Sequence, residues 1–304
     1  MPCEYRISQK FYNFRSYRTG KLFYSPFKTT GGKDKIMNLE KIMNVLSARG
    51  IKSTPMRVVK NNTEFHGLRL CLPDNPTISP VVYYTAEDTT EIFLKKIDSV
   101  LNLGSVQINS SNLTNLDYVK DHIFLGIQRN SDDLYYLKKK WLNFELYLQI
   151  PLTVKGLDGI GTCKVTAKLL QALGTSEKDL WNFAFINSQS QYTIHSFGDG
   201  SFYFVDSSLK TAATALCCPE FFQNFCRTIY EPGCYILPSS TEDLIILPLS
   251  YLPYTAENMH RLADMVHTVN QEAVVSEIQL DPVVYYYNYY NNTIEIAATY
   301  EKEI

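Results

Sequence analysis

The residue types that could carry out chemistry are concentrated in one short turn, Pro238 to Asp243. It places Ser239, Ser240 and Glu242 between two apolar runs. A nucleophilic serine needs a neighbouring base and groups that stabilise an oxyanion. The turn contains no histidine, and the chain has no Gly-x-Ser-x-Gly motif. We therefore expect Ser239, Ser240 and Glu242 to bind backbone amides of a structural turn. A hydrolase-type enzyme with a cleft near this turn is the alternative.

Two further groups have the residue types of metal or thiol sites. His260, Asp264 and His267 recur along one predicted helix at a spacing that puts them on one face. The histidines are two helical turns apart, so a solvated polar face is the expected role. Cys218 precedes a predicted helix N-terminus, where a thiol can become reactive. Because the seven cysteines include no Cys-x-x-Cys pair, we predict no metal site and no cofactor.

A third group is the tyrosine run near the C-terminal end: Tyr285, Tyr286, Tyr287, Tyr289 and Tyr290. Side chains of a strand alternate between its faces, so Tyr285 and Tyr287 should share one face and Tyr286 the other. Exposed tyrosines offer a large contact area with a polar tip, which suits a partner surface. Packing within a sheet would explain the same residues, because aromatic residues favour strands. Both interpretations stay open.

Positive charge is concentrated in residues 1–36, which contain eight basic and two acidic residues. The whole chain has a net charge of −2, so the remaining residues are acidic on balance. Eight aromatic residues are interleaved with the basic ones and could stack on bases while lysines neutralise phosphates. The segment lacks apolar periodicity, so we expect a flexible arm or a translated leader before Met37. The acidic remainder argues against nucleic acid as the main partner.

The elements that must position these residues are mixed helices and strands without strict alternation, which predicts an α+β fold. Apolar spacing predicts helices near residues 39–49, 89–101, 176–186, 219–229 and 255–269, and a polar helical turn near 132–139. Strands are predicted near 56–59, 65–72, 78–84, 122–128, 144–152, 163–167, 201–205, 212–216, 234–237, 244–247, 283–287 and 293–296. Asn61-Asn62 should form the tight turn of the first hairpin.

The length of 304 residues suggests two modules, 37–158 and 159–304, after the arm at 1–36. No apolar run approaches the ~20 residues that span a bilayer, so we predict no membrane contact. No secretory signal precedes the body. An odd number of dispersed cysteines favours reduced thiols and a cytoplasmic location.

The segment Tyr235-Ile236-Leu237-Pro238-Ser239-Ser240, followed by Glu242 and Ile245-Ile246-Leu247-Pro248, resembles an uncharacterised clostridial family, the domain of unknown function 5688. Weaker matches extend the resemblance over roughly residues 37–296, among them Gly67-Leu68, Leu173-Gly174, Ala212-Ala213 and Val269-Asn270. Thr241 stands where the family often has a histidine. The resemblance implies an intracellular bacterial or bacteriophage protein and no activity or cofactor.

These observations predict a non-enzymatic module that binds another protein or regulates it. A hydrolase acting at residues 238–243 and nucleic-acid binding through residues 1–36 are the alternatives from other functional classes.

Overall fold

A computed structural model describes residues 37–71, 80–102, 110–132, 135–152, 161–197 and 200–301. The basic arm lies outside these stretches. The chain divides into two compact units: an N-terminal unit, described over 37–71 and 80–102, and a C-terminal unit, described with gaps over 110–301. Both units combine antiparallel sheets with helices, which confirms the predicted α+β class.

The N-terminal unit is a three-stranded sheet with two helices. Its elements are α1 (Leu39–Ala48), β1 (Lys52–Lys60), β2 (Thr63–Cys71), β3 (Val81–Tyr84) and α2 (Thr90–Asn102). The strands lie in the order β1-β2-β3, all antiparallel. The side chain of Asn38 begins α1 by accepting a hydrogen bond from the backbone N–H of Lys41 at 2.9 Å. Residues of both helices and of β2 and β3 form one core: Ile42, Leu46, Leu68, Leu70, Val82, Phe93 and Ile97.

The predicted first hairpin is confirmed, and the two asparagine residues of its turn explain why it forms. Lys60 pairs with Thr63, leaving Asn61 and Asn62 as the two turn residues. Both have a positive φ, 49° and 59°. Asparagine tolerates this left-handed conformation, and a turn of this kind matches the twist of the strands it joins.

The C-terminal unit begins with a four-stranded sheet and four helices. These elements are α3 (Ser110–Leu113), α4 (Leu116–His122), β4 (Phe124–Arg129), β5 (Lys138–Trp141), β6 (Phe144–Leu152), β7 (Gly161–Lys164), α5 (Ala167–Leu173) and α6 (Glu177–Gln189). Strand β6 pairs antiparallel with β4, β5 and β7. The predicted strand over 144–152 is therefore the central one of this sheet.

The rest of the unit forms a six-stranded antiparallel sheet in the order β13-β12-β10-β11-β9-β8. Its elements are β8 (Tyr192–Phe197), β9 (Phe202–Ser207), α7 (Pro219–Ile229), β10 (Gly233–Pro238), β11 (Leu244–Pro248), α8 (Ala256–Ala273), β12 (Val283–Asn288) and β13 (Thr293–Thr299). The central pair is β10 and β11, in which Ile236 lies opposite Ile246. Every residue of these two strands is buried, as the aliphatic run 244–247 predicted for a central strand.

The six-stranded sheet separates two apolar cores. Cys234 and Ile236 of β10 contribute to a large core that also contains residues of α6, α7 and the four-stranded sheet. Tyr235 and Leu237 point to the other side, where the core face of α8 covers them. This alternation along one strand is the period of two expected for a sheet buried on both faces.

Two predicted elements were wrong in type. Residues 138–141 form strand β5 rather than a polar helical turn, because Lys138 pairs with Tyr147 and Trp141 with Phe144. Residues 212–217 form a short 3-10 helix rather than a strand. All six of its residues are buried, so burial shows no periodicity there, and the N–H of Cys218 closes the helix on the carbonyl of Ala215 at 2.8 Å.

The compact units also divide the chain differently from the expected division at residue 158. Residues 110–152 belong with 161–301, because the apolar face of β4 and β6 joins the large core of the six-stranded sheet. Within the described stretches, no helix combines the length and apolar character that crossing a bilayer would require.

Candidate functional site

The turn between β10 and β11 is held by the hydroxyl group of Ser240. Its Oγ accepts hydrogen bonds from the backbone N–H groups of Glu242 at 3.1 Å and Asp243 at 3.0 Å. The same hydroxyl donates to Oδ2 of Asp243 at 3.0 Å. Ser240 is fully buried and Ser239 almost so. The oxygen that a hydrolase would need as nucleophile is thus bonded within the turn and closed to solvent.

Backbone bonds join this turn to two other segments. The N–H of Thr241 donates to the carbonyl of Ile278 at 2.8 Å, and the N–H of Leu280 donates to the carbonyl of Ser239 at 3.3 Å. The carbonyl of Thr241 accepts from the N–H of Ala213 at 3.3 Å. These bonds hold the 3-10 helix and the strand-like segment before β12 against the turn, which favours the structural interpretation of Ser239, Ser240 and Glu242.

Replacing Ser240 with alanine should therefore lower the free energy of unfolding by about 0.5–2 kcal/mol, because two amides lose their acceptor. Urea unfolding followed by circular dichroism measures the change. Ser190→Ala is a matched control, since its exposed hydroxyl donates only to the carbonyl of Asn187. An unfolding midpoint for Ser240→Ala that equals that of the control would contradict the structural role.

Cys218 is the cysteine that sequence placed nearest a helix N-terminus. It lies directly before α7 and is completely buried. Burial, only partly offset by hydrogen bonds with Tyr192 and Gln189, raises the pKa of this thiol to about 12. The thiol is therefore protonated at neutral pH, and a thiolate nucleophile does not form there.

The polar face of α8 places its two histidines in different surroundings. His260 is exposed, whereas His267 stacks on the ring of Tyr300 with centroids 3.8 Å apart. Among the residues that the structure describes, no group of three or more histidine, cysteine, aspartate or glutamate side chains is arranged to hold a metal ion.

The C-terminal tyrosines are divided between the cores and the surface. Tyr285 and Tyr287 are fully buried in the large core, where the hydroxyl of Tyr287 donates to Oδ1 of Asn292 at 3.0 Å. Tyr286 packs on the opposite face of the sheet, as predicted from alternation. The expected partner surface is corrected to this extent: Tyr285 and Tyr287 cannot take part in it, because no solvent reaches their side chains.

The remaining tyrosines of the run belong to a larger group, which we call the tyrosine surface: Tyr230, Tyr254, Tyr286, Tyr289 and Tyr290. Tyr230 is 95% exposed, Tyr290 81% and Tyr254 51%. Tyr286 lies on β12, and the other four come from the connections between α7 and β10, between β11 and α8, and between β12 and β13. Sequence analysis missed Tyr230 and Tyr254, since they lie far from the C-terminal run, in two other connections.

The antiparallel register brings these connections to one end of the six-stranded sheet. Gly233 at the start of β10 pairs with Asn288 at the end of β12. The N–H of Tyr289 then donates to the carbonyl of Pro232 at 3.1 Å. On the other side, the rings of Tyr254 and Tyr286 lie 5.2 Å apart.

A carboxylate links two of the connections. Glu231 Oε2 accepts from the backbone N–H of Ser250 at 3.2 Å, and the hydroxyl of Ser250 donates to Oε1. Glu231 is the single charged residue in segments 230–232, 249–255 and 289–292. The three connections are thus poor in charge, as the central part of a protein interface is, whereas Tyr286 on β12 lies opposite the exposed Glu295 of β13.

Tyr230 has a backbone conformation that its side chain does not favour. It ends α7 with φ 59° and ψ 39°, the left-handed region in which glycine or asparagine is usual at this position. The N–H of Tyr230 bonds the carbonyl of Cys226, so the local geometry is held by the helix end. Leu142 and Lys210 share this backbone region, and Tyr230 differs from them in presenting almost its whole aromatic ring to solvent.

The most densely bonded polar group of the described residues lies on the outer face of the four-stranded sheet. Glu145 is buried, and its Oε1 accepts from Gln128 Nε2 at 2.6 Å, Ser131 Oγ at 2.9 Å and Tyr136 Oη at 2.9 Å. Its Oε2 accepts from the N–H of Ser131 at 3.2 Å and forms an ion pair with Lys138 Nζ at 2.9 Å.

Two effects shift the pKa of Glu145 in opposite directions. Burial raises the pKa of its carboxyl group, but the hydrogen bonds from Lys138, Ser131 and Tyr136 together outweigh it and leave the pKa below its usual value. Burial, with a smaller contribution from the Glu145 charge, raises the pKa of Tyr147 to about 12. Both carboxylate oxygens are already occupied by donors, so this group stabilises the sheet and has no evident place for a substrate.

One segment of the chain matches a known family. Residues 201–289 match the model of a family of unknown function, DUF5688, which confirms the resemblance over that segment. The match includes the Ser240 turn and all members of the tyrosine surface except Tyr290. No curated protein and no solved structure matches the chain.

Proposed function

We propose that this chain, whose residues 201–289 resemble DUF5688, is a protein-binding module that recognises its partner through the tyrosine surface. The observation that carries the proposal is the exposure of Tyr230. Its side chain is almost fully exposed, and its backbone is held in a left-handed conformation. The end of α7 holds this backbone conformation, and the ring of Tyr230 is thereby presented to solvent from a fixed position. A regulatory role in a bacterial or bacteriophage cytoplasm belongs to the same proposal.

The chemistry of the surface supports a protein partner. Tyrosine side chains bury a large area while ordering only two torsion angles, and they are enriched among residues that dominate binding energy. The connections also contain serine, threonine and asparagine, which add short hydrogen-bonding groups, and proline and leucine, which add apolar contact area. Binding surfaces built from loops commonly combine tyrosine with small polar residues in this way.

Two other observations agree with this function and location. The six cysteines of the described stretches are all free thiols, as expected for a reducing compartment. The buried, internally bonded Ser240 offers a hydrolase no accessible nucleophile. A binding function therefore explains the exposed tyrosines, whereas a catalytic function would depend on a serine that is buried and bonded within its own turn.

The test is quantitative affinity capture from the native host, followed by binding of the purified partner. Tyr230→Ser and Tyr290→Ser should each weaken capture of the same protein by about ten-fold or more, the effect of losing an interface residue worth over 1 kcal/mol. Tyr135→Ser is the matched control, because Tyr135 is 85% exposed but lies between β4 and β5.

The dissociation constant of the purified complex then tests whether the partner binds at the tyrosine surface. The proposal expects both tyrosine variants to melt like the parent and to bind weakly, while Tyr135→Ser binds normally. A partner that binds the parent, Tyr230→Ser and Tyr290→Ser with equal dissociation constants would place the interaction elsewhere on the chain.

A further inference from the structure

The sheet of the N-terminal unit has one face that α1 and α2 leave uncovered. Leu68, Leu70 and Val82 point towards these helices and belong to the core. Side chains of a strand alternate, so the intervening residues of the same strands point away from the helices. We call this the open face. Its members are Lys52, Thr54, Met56, Val58 and Lys60 of β1, Thr63, Phe65, Gly67, Arg69 and Cys71 of β2, and Val81 and Tyr83 of β3.

Every charged residue of the open face is basic. Lys52, Lys60 and Arg69 are all exposed, and no aspartate or glutamate occupies any of its positions. The acidic residues among the described part of this unit lie on the helical side or outside the sheet: Glu40, Glu64, Glu87, Asp88, Glu91 and Asp98. The open face itself is therefore basic, although the other five basic residues in the described part of the unit lie on or beside the helices or on the helical side of β1: Lys41, Arg49, Arg57, Lys95 and Lys96.

Two aromatic rings lie among these basic residues. Phe65 and Tyr83 on neighbouring strands contact each other edge to face, with ring centroids 5.7 Å apart. The ammonium group of Lys60 lies 4.3 Å from the centroid of Tyr83 and 5.7 Å from that of Phe65. Both rings are half-buried, so part of each remains accessible to a ligand.

Gly67 makes room for the side chains of Val81 and Tyr83. It pairs directly with Tyr83, and a Cβ placed on it would lie 2.8 Å from Cγ1 of Val81 and 3.1 Å from the tyrosine ring. Any other residue at position 67 would push against the ring. Because Gly67 has no side chain, the ring of Tyr83 can lie close to β2 and beside Phe65.

We propose that the open face binds single-stranded nucleic acid, with bases stacked on Tyr83 and Phe65 and phosphates held by Lys52, Lys60 and Arg69. Sheet faces that carry aromatic residues on adjacent strands stack unpaired bases, and the surrounding basic residues bind the phosphates of the nucleic acid. A base stacked on Tyr83 would displace the Lys60 ammonium from the ring, and the flexible lysine would then reach a neighbouring phosphate. This site shares no residue with the tyrosine surface.

Charge and ring chemistry together favour this ligand over an acidic protein segment. An acidic peptide would satisfy the three basic residues but would leave the exposed ring surfaces without a planar group to stack on. Nucleic acid supplies both a phosphate at every step and a π-face at every base. The bases must be unpaired, because a duplex hides the faces that the rings would contact.

The experiment measures binding of the full-length protein to a fluorescein-labelled oligouridine of about twelve nucleotides by anisotropy over a range of salt concentrations. Lys60→Gln combined with Arg69→Gln should reduce the slope of log K against log salt by ~1.4, about 0.7 for each phosphate that is no longer neutralised. Lys41→Gln combined with Lys95→Gln removes the same charge from exposed positions on α1 and α2 and should leave the slope unchanged.

A third variant tests the rings. Tyr83→Ser should weaken binding of the oligouridine by about ten-fold at every salt concentration without changing the slope, because stacking involves no counterion release. A duplex of the same length should bind more weakly than the single strand. Circular dichroism melting shows that each variant is folded before it is compared.

Three results would overturn the proposal: no binding of the oligouridine at low salt, equal effects of the Lys60/Arg69 and Lys41/Lys95 substitutions, or binding unaffected by Tyr83→Ser. Capture of a protein whose binding depends on Lys60, Arg69 and Tyr83 while the oligouridine fails to bind would assign the open face to a protein partner instead.

Discussion

Replacing Glu145 with glutamine is expected to lower the free energy of unfolding by about 3–5 kcal/mol, the cost of breaking a buried ion pair by removing one partner. Lys138 would keep its charge with 18% of its side chain exposed and no carboxylate beside it. The remaining partners of Glu145 are all donors as well, namely Gln128, Ser131 and Tyr136. A glutamine amide has one accepting oxygen, so it cannot accept from the donors on both sides, and the Lys138 ammonium and the Ser131 N–H have no acceptor capacity with which to bind its NH2 group.

Urea unfolding at neutral pH measures this effect, and Asp117→Asn supplies the control. Asp117 forms an exposed ion pair with Lys120 at 3.2 Å, and such surface pairs contribute little. The control should stay within about 1 kcal/mol of the parent. A Glu145→Gln variant as stable as Asp117→Asn would show that the buried group contributes no net stability.

The pH dependence follows from the direction of the Glu145 shift. Its pKa is lower in the folded protein, so the ionised carboxylate stabilises the fold above the unfolded pKa of about 4.3. This contribution is lost as the pH falls through the folded pKa, because the protonated acid, like glutamine, is neutral. The stability difference between parent and Glu145→Gln should be constant near neutral pH and shrink below about pH 4.

Replacing Gly233 with alanine is expected to cost about 3 kcal/mol, at the upper end of the range for overpacking. A Cβ at this position would lie 2.4 Å from the backbone carbonyl oxygen of Tyr287 and 2.8 Å from Cδ1 of Leu249. The leucine side chain can move, but the carbonyl belongs to the neighbouring strand β12. Strands β10 and β12 would have to separate at the end of the sheet that carries the tyrosine surface.

Gly174→Ala separates the steric effect from the general effect of losing a glycine. Gly174 has a φ of 64°, and a methyl group placed on it would have no other atom within 4 Å, so only backbone strain applies, about 1 kcal/mol. Thermal and urea unfolding of both variants give the comparison. Equal losses of stability would show that β10 and β12 relax around the added methyl group.

Much of the local structure could be predicted from residue types because the cause is local. Asn61 and Asn62 predict a tight turn from their own backbone preferences, and the structure gives both a positive φ. The capping pattern of Ser176 and Asp179 predicts the start of α6, where Ser176 Oγ accepts from the N–H of Asp179 at 3.1 Å. The alternation in β12 likewise predicts the opposite faces of Tyr286 and its neighbours.

The errors have tertiary causes. Lys138 to Trp141 contain little apolar pattern, and they form a strand because β6 offers hydrogen bonds and Glu145 offers a charge partner. Residues 212–216 were predicted as a strand, although alanine and threonine are compatible with several structures. Burial in the large core favours a 3-10 helix over a strand for these residues.

Residue types and their spacing were sufficient for the α+β class, the helices with clear periodicity and the turns with special backbone preferences. Tertiary packing determines which tyrosines are buried, since Tyr285 and Tyr290 have the same side chain in the same run and differ only in what packs on them. It also brings Tyr230 to Tyr289 across 59 positions of sequence through the pairing of Gly233 with Asn288. Local preferences act through neighbours along the chain, whereas exposure and proximity depend on strand register and on which faces remain covered.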